Sequence, residues 1–177
     1  MKVAIIGSSH TDNEEVINKA KELGKVIALK DCTIITGGID GYPDIVAQSA
    51  LLSDGIVIAY CGGKNLGDHY RYYKVDLSKY SDTVFQENYI GDELSRIDLY
   101  FRSLKMCFDA DMAIVIGGYV GTMYELTILA GMKKDIYVME SSGGITSNTI
   151  KVFLDEGLKE KSKIEFFNEV KEIEKYL

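Results

Sequence analysis

The sequence predicts an α/β fold in which a Rossmann-like parallel sheet carries helices on both faces. Short runs of apolar, often β-branched residues alternate with longer segments whose apolar residues recur every three or four positions. Glycine-rich clusters follow several of the short runs, as is typical where a strand turns into a helix. The 177 residues, with 46% hydrophobic and 27% charged side chains, suit one domain, which we place over residues 1–177.

The first third of the chain predicts three strands and two helices. Lys2–Gly7 is a short apolar run that ends at glycine, and Glu14–Leu29 has the spacing of an amphipathic helix. A strand over Thr33–Thr36, a helix over Asp44–Leu52 and a strand over Gly55–Tyr60 follow. Because strands and helices alternate, we expect a parallel sheet with right-handed crossovers and a ligand crevice at the carboxyl ends of the strands.

The rest of the chain continues this alternation after one irregular stretch. Cys61–Gly91 is polar and rich in tyrosine and aspartate, and it shows no clear period, so it predicts a long loop or a partly ordered excursion. The elements predicted after it are a helix over Glu93–Phe108, a strand over Met112–Ile116, a helix over Met123–Met132, a strand over Asp135–Met139, a helix over Ser147–Leu158, a short strand near Ile164–Phe166 and a terminal helix from Asn168.

The charge balance restricts the expected partners. The chain has 27 acidic and 20 basic residues, which give a net charge of −7. Nucleic acids and anionic membranes attract basic surfaces, so we expect neither as a partner. The first apolar stretch, Val3–Ile6, is too short for the core of a signal peptide, and no apolar run approaches the roughly 18 residues of a membrane span. The prediction is a soluble, cytoplasmic protein.

Cysteines and histidines do not predict a metal site. Cys32, Cys61 and Cys107 are odd in number and no pair has the C-x-x-C spacing, which argues against both a disulfide framework and a cysteine zinc site. The only histidines, His10 and His69, lie far apart in the sequence. We therefore predict no bound metal and no resident cofactor.

Three predicted strands end in small, flexible residues. Glycine lets a phosphate approach the backbone closely, and the helix that follows offers unpaired N–H donors. One such loop is equally typical of an ordinary strand-to-helix turn, but three at one sheet edge favour a phosphate-bearing ligand. The candidate binding residues are Gly7, Ser8 and Ser9 in the first loop, Gly37, Gly38 and Gly41 in the second, and Gly117, Gly118, Gly121 and Thr122 in the third.

A family resemblance adds two further candidates. The third loop continues as Gly117-Gly118-x-x-Gly121-Thr122-x-x-Glu125, which resembles the signature of the lonely-guy family, long labelled "lysine decarboxylase-like". Upstream, Arg102, Met106, Ala110 and Asp111 match the residues that precede the corresponding strand in that family. The resemblance is co-linear over most of residues 1–60 and 100–140.

The resemblance implies an activity and a set of roles. Family members cleave the N-glycosidic bond of a nucleoside 5′-monophosphate and release the free base and ribose 5-phosphate. Glu125 and Arg102 are then the catalytic residues: Glu125 stabilises an oxocarbenium-like transition state or activates water, and Arg102 holds a phosphate or ribose oxygen. The resemblance also implies a small-molecule nucleotide ligand and a homodimer. Without it, Glu125 has a simpler interpretation, as a first-turn glutamate that complements the helix dipole.

Departures from the family pattern leave other functions open. Gly117 replaces a proline, Ile39 and Tyr119 replace glycines, and Ser103 replaces the lysine that usually stands beside the arginine. These changes resemble the molybdenum-cofactor carrier-like branch and favour binding without cleavage, whereas the retained Arg102 and Glu125 favour chemistry. A deoxyribosyltransferase-like enzyme, in which the glutamate is the nucleophile, has a similar pattern.

Overall fold

A computed structural model, which describes residues 1–91, 93–157 and 162–177, contains one seven-stranded parallel sheet. The spatial order of the strands is β4-β3-β2-β1-β5-β6-β7. This confirms the predicted α/β Rossmann-like fold. The strands are β1 (Lys2–Gly7), β2 (Thr33–Thr36), β3 (Ile56–Tyr60), β4 (Asp82–Val84), β5 (Met112–Ile116), β6 (Asp135–Met139) and β7 (Ile164–Phe167).

Helices cover both faces of the sheet. On one face, Leu23 and Val46 belong to an apolar cluster with the sheet, and on the other face Met106, Leu126 and Ile150 belong to a second one. A strand buried on both faces needs a continuous apolar run, and residues 3–6 of β1 are all buried. The helices are α1 (Glu14–Leu29), α2 (Tyr42–Leu51), α3 (Leu66–Tyr73), α4 (Arg96–Asp109), α5 (Val120–Gly131) and α6 (Thr149–Gly157).

The strand order fixes where a ligand can bind. The chain moves outward from β1 through β2, β3 and β4 and then returns to place β5 on the other side of β1, with Gly7 paired to Ile116. Successive crossovers therefore leave β1 in opposite directions, and a crevice forms between them at the carboxyl ends of the strands. The three glycine-rich loops follow β1, β2 and β5, which are neighbours in the sheet.

The stretch Cys61–Gly91 is more ordered than predicted. It contains α3, which begins after Asn65, whose side chain accepts a hydrogen bond from the Asp68 N–H at 2.9 Å. It also contains β4, a three-residue edge strand that pairs with β3. Neither element shows a long apolar period because α3 buries a single side chain, His69, and β4 is short and partly exposed.

The helix predictions after α1 differ from the structure at their ends. Helix α2 begins at Tyr42 instead of Asp44, α5 begins at Val120 instead of Met123, and α6 begins at Thr149 instead of Ser147. The helix predicted from Glu93 begins at Arg96, because Ser95 caps it in a reciprocal capping box with Asp98. The terminal helix predicted from Asn168 is instead two short 3₁₀ turns, Val170–Glu172 and Glu174–Tyr176. The predicted end of α6 at Leu158 lies outside the described residues. Within the residues described, no helix is long and apolar enough to span a membrane.

Candidate functional site

A cavity of about 420 Å³ lies where the three glycine-rich loops meet α4. Its volume is within the range of about 300–1,000 Å³ that is typical of small-molecule sites. Most of the side chains and loop residues singled out in the sequence lie on its wall. The predicted residues that line it are Gly7, Ser8, Ser9, Gly37, Arg102, Gly121, Thr122 and Glu125.

The other four predicted residues, Gly38, Gly41, Gly117 and Gly118, shape the loops and do not line the cavity. At Gly41, with φ +125°, a Cβ would overlap the carbonyl oxygen of Ser8, so glycine is needed for the second loop to pack on the first. At Gly118, with φ +108°, a Cβ would overlap the Thr122 side chain. Substitutions at these positions would therefore disturb the fold as well as any ligand.

One face of α4 forms a side wall of the cavity. Leu99, Arg102, Ser103 and Met106 recur at the three- and four-residue spacing of a helix and all line the cavity. Ser103 and Met106 are buried, whereas Arg102 is half-buried. The helical period therefore brings the arginine and the serine of the sequence pattern to the same wall.

Arg102 lies directly on the second glycine loop. A Cβ at Gly37 would overlap the Arg102 guanidinium, so the absence of a side chain at Gly37 is what lets the arginine reach this position. The Arg102 Nε is buried and has no hydrogen-bond partner among the residues described. A guanidinium held in this way offers planar donors to an anion in the cavity.

Glu125 provides a buried carboxyl group in the same cavity. Its side chain belongs to α5, it is 9% exposed, and its Oε1 accepts a hydrogen bond from Ser103 Oγ at 2.7 Å. Burial raises the pKa of Glu125, while the charge of Arg102 and the Ser103 hydrogen bond act in the opposite direction. A carboxyl with a raised pKa, beside a cation in a cavity, is typical of catalytic groups, although structural pairs can show the same shift.

Several residues on the cavity wall were not identified from the sequence. Arg96, the first residue of α4, adds a second guanidinium, and Asp40 adds a carboxylate. Their positions in the sequence indicate a role in the site only weakly. Arg96 precedes Arg102 by six residues, and Asp40 lies inside the second glycine motif. Three tyrosines also line the cavity, and the rings of two of them are in contact, with centroids 4.6 Å apart and planes tilted by 43°. These tyrosines are Tyr100, Tyr119 and Tyr124, of which Tyr100 and Tyr124 form the tilted pair.

The sequence of residues 1–174 matches the SLOG cluster4 family. The chain belongs to that family. No curated protein matches it significantly.

Among solved structures, the protein TM1055 has 22% identity and a TM-score of 0.79, with 99% of this chain and 96% of that one covered. The molybdenum cofactor binding protein of the phototrophic bacterium Rippkaea orientalis has 16% identity and a TM-score of 0.73, with 99% and 93% covered. These matches confirm the predicted kinship with the lonely-guy and carrier-like proteins, and at such identities the structures themselves show the fold alone.

The expectation that nucleic acids are excluded as partners is wrong. DNA processing protein A from Helicobacter pylori, which binds single-stranded DNA, shares this fold with 15% identity and a TM-score of 0.70, covering 99% of this chain and 79% of that one. The inference failed because net charge is a sum over the whole surface, whereas binding depends on local charge. Here two guanidinium groups, Arg96 and Arg102, line one cavity of an acidic chain. The cytoplasmic location and the homodimer stay predictions.

Proposed function

We propose that this chain binds a nucleoside 5′-monophosphate in the cavity and hydrolyses its N-glycosidic bond. The observation that carries the proposal is the placement of Glu125 and Arg102 on the wall of one cavity that residues of the three glycine-rich loops also line. Burying a carboxyl group costs free energy, so its presence in the wall of a ligand-sized cavity favours a functional role over a purely structural one.

The reaction needs only groups that the cavity supplies. The oxygen of water adds to C1′, the C1′–N bond breaks with its electron pair going to the base, and the departing base takes up one proton, which balances the proton that the attacking water gives up. Positive charge accumulates on the sugar ring in the transition state, and the ionised Glu125 stabilises it and accepts a proton from the attacking water. The products are the free base and ribose 5-phosphate.

The remaining residues bind and orient the ligand in this proposal. Arg102 and Arg96 offer guanidinium donors to the phosphate, and the first turn of α5, from Gly121, offers backbone N–H groups. Ser103 keeps the Glu125 carboxyl in place through its hydrogen bond. The tyrosines near the mouth present flat surfaces on which a base can stack.

A second candidate is a carrier that holds a nucleotide-like cofactor without cleaving it. The names of similar structures support it: the Rippkaea orientalis protein binds the molybdenum cofactor, and a molybdenum cofactor carrier protein of Chlamydomonas reinhardtii has a TM-score of 0.67. The tyrosines and arginines of the cavity also suit a flat ring system that carries a phosphate. Cleavage is therefore the property that separates the two candidates.

We expect adenosine 5′-monophosphate, tested with other nucleoside monophosphates, to stabilise the fold. A ligand at 100 times its dissociation constant adds about 2.7 kcal/mol, which a thermal melt detects readily. Chromatography of the same mixtures should show free base for a hydrolase and none for a carrier, and mass spectrometry of the purified protein identifies any ligand already bound. A melting temperature unchanged by every nucleotide and by single-stranded oligonucleotides would contradict the assignment of the cavity.

A pair of glycine variants tests whether the start of α5 contacts the ligand. Gly121 lines the cavity and Gly131 lies at the other end of the same helix, and a Cβ at either position meets no atom within 4 Å. We expect Gly121→Val to weaken AMP binding by at least about tenfold through its bulk alone, and Gly131→Val to leave affinity unchanged. Both variants should melt no lower than the parent, because glycine is the weaker helix former. Equal AMP affinity in the two variants, measured by calorimetry, would remove Gly121 from the site.

A further inference from the structure

Helix α3 places a histidine against the second glycine loop. Of the eight residues of α3, only His69 is fully buried, with 1% of its surface exposed. Its Nε2 lies 2.7 Å from the carbonyl oxygen of Gly38, and its ring packs on Tyr73 with centroids 4.8 Å apart. Since His69 is not among the residues that line the cavity, it contacts the loop from outside.

The contact with Gly38 defines the protonation of the ring. A carbonyl oxygen only accepts hydrogen bonds, so Nε2 carries the proton and donates it. The other ring nitrogen, Nδ1, is buried and has no hydrogen-bond partner within residues 1–91, 93–157 and 162–177. Burial lowers the pKa of His69, the Gly38 hydrogen bond acts in the opposite direction, and the nearby charge of Arg102 lowers the pKa further. A neutral ring with a single donor is the form that fits this environment.

The same hydrogen bond sets the direction of the next backbone N–H. The carbonyl of Gly38 and the N–H of Ile39 belong to one planar trans peptide and point in opposite directions. With the oxygen turned toward His69, the N–H turns away from it, and Ile39 lines the cavity. In the part of the chain that is described, no group accepts a hydrogen bond from this N–H. Gly38 has φ +63°, a conformation in which glycine permits the following peptide to turn over at low steric cost.

We infer that His69 is a positioning residue for anion binding, which holds the Gly38–Ile39 peptide with its N–H directed at a phosphate group in the cavity. Without the ring, the peptide can turn its carbonyl oxygen toward the same group and repel it. The effect on ligand affinity rests on the proposed function, whereas the peptide orientation does not. Through His69, the segment Cys61–Gly91 would act on the site although none of its residues lines the cavity.

Three variants on α3 separate this role from simple packing. His69→Leu keeps a similar volume but removes the donor, His69→Gln keeps an amide N–H₂ donor, and Tyr70→Leu changes an exposed residue of the same helix. By calorimetry, we expect His69→Leu to weaken AMP binding by at least about tenfold, because a charge-assisted hydrogen bond is lost. Binding of adenosine, which has no phosphate, should not change. His69→Gln and Tyr70→Leu should bind AMP within about threefold of the parent.

Two structural measurements complete the test. In ¹⁵N–¹H spectra, the Ile39 amide resonance should shift on addition of AMP in the parent and in His69→Gln, but not in His69→Leu. A ligand-free crystal structure of His69→Leu should show the Gly38–Ile39 peptide turned over or in two orientations. The inference is overturned if His69→Leu binds AMP as the parent does, if its peptide is unchanged, or if Tyr70→Leu loses as much affinity. If the parent itself binds no nucleotide, the proposed function fails, and the ligand-free structure alone decides the role of His69.

Discussion

Replacing Glu125 with glutamine is expected to lower base release from AMP by at least about 100-fold while AMP affinity stays within about threefold. The amide keeps the size of the side chain and can still accept the Ser103 hydrogen bond, so the cavity wall is preserved. It cannot carry the negative charge that stabilises an oxocarbenium-like transition state. The rate of base release is measured by chromatography, and the AMP affinity is measured by calorimetry on the same preparations.

The same variant should be more stable than the parent, and increasingly so as the pH rises. Because burial raises the pKa of Glu125 above its ordinary value of 4.5, the folded chain holds a proton that the unfolded chain has already released. Stability of the parent therefore falls as the pH rises from 4.5 through the folded pKa, and Glu125→Gln has no such loss. A gain of about 1 kcal/mol corresponds to about 2–4 °C in melting temperature for a chain of this size.

Glu22→Gln, at an exposed position on α1, is the matched control and should change neither turnover nor the pH dependence of melting. If Glu125→Gln cleaves AMP at the parental rate, Glu125 is not catalytic, and its role is structural, through its hydrogen bond with Ser103. If the parent itself releases no base while both proteins bind AMP, the carrier function is the correct one. A stability gain that is independent of pH would show that burial does not raise the pKa of Glu125.

The sheet was predictable because its strands are local apolar runs bounded by glycine or polar residues. Lys2–Gly7 and Met112–Ile116 were predicted with the bounds that the structure shows, since a strand buried on both faces is a nearly continuous apolar run. The edge strand β4, Asp82–Val84, was missed because it is short and only half-buried. The C-terminal 3₁₀ turns were missed because a Glu/Lys-rich segment has helical composition whether or not it forms a regular helix.

The site was predictable only in part, because its residues come together through the fold. Resemblance to the family motif identified Arg102 and Glu125, and both line one cavity in the structure. Contacts between distant segments left no local signal: the Ser103–Glu125 hydrogen bond joins residues 22 positions apart, and the His69–Gly38 bond joins residues 31 apart. Several glycines of the motifs, Gly41 and Gly118 among them, proved to shape the loops, a role that spacing alone cannot distinguish from ligand contact.

Replacing Arg102 with leucine is expected to weaken AMP binding by about 10- to 100-fold. This loss corresponds to the binding free energy of one or two charge-assisted hydrogen bonds. The fold should tolerate the change, because the Arg102 Nε is a buried donor with no partner in the described part of the chain and leucine removes it. The charge of Arg102 also lowers the pKa of Glu125, so the variant should need a higher pH to ionise that carboxyl. The acidic limb of the pH–rate profile should therefore move toward alkaline pH.

The two consequences of Arg102→Leu separate binding from chemistry. Raising the pH should restore part of the lost rate constant, because Glu125 ionises again, but it should not restore affinity, because the guanidinium is absent. Arg71→Leu, which removes an arginine that does not line the cavity, should leave both quantities unchanged. If adenosine and AMP lose affinity equally in Arg102→Leu, the arginine shapes the cavity through its contact with Gly37 and does not hold the phosphate. Selective loss of AMP is the result that places the phosphate at the guanidinium.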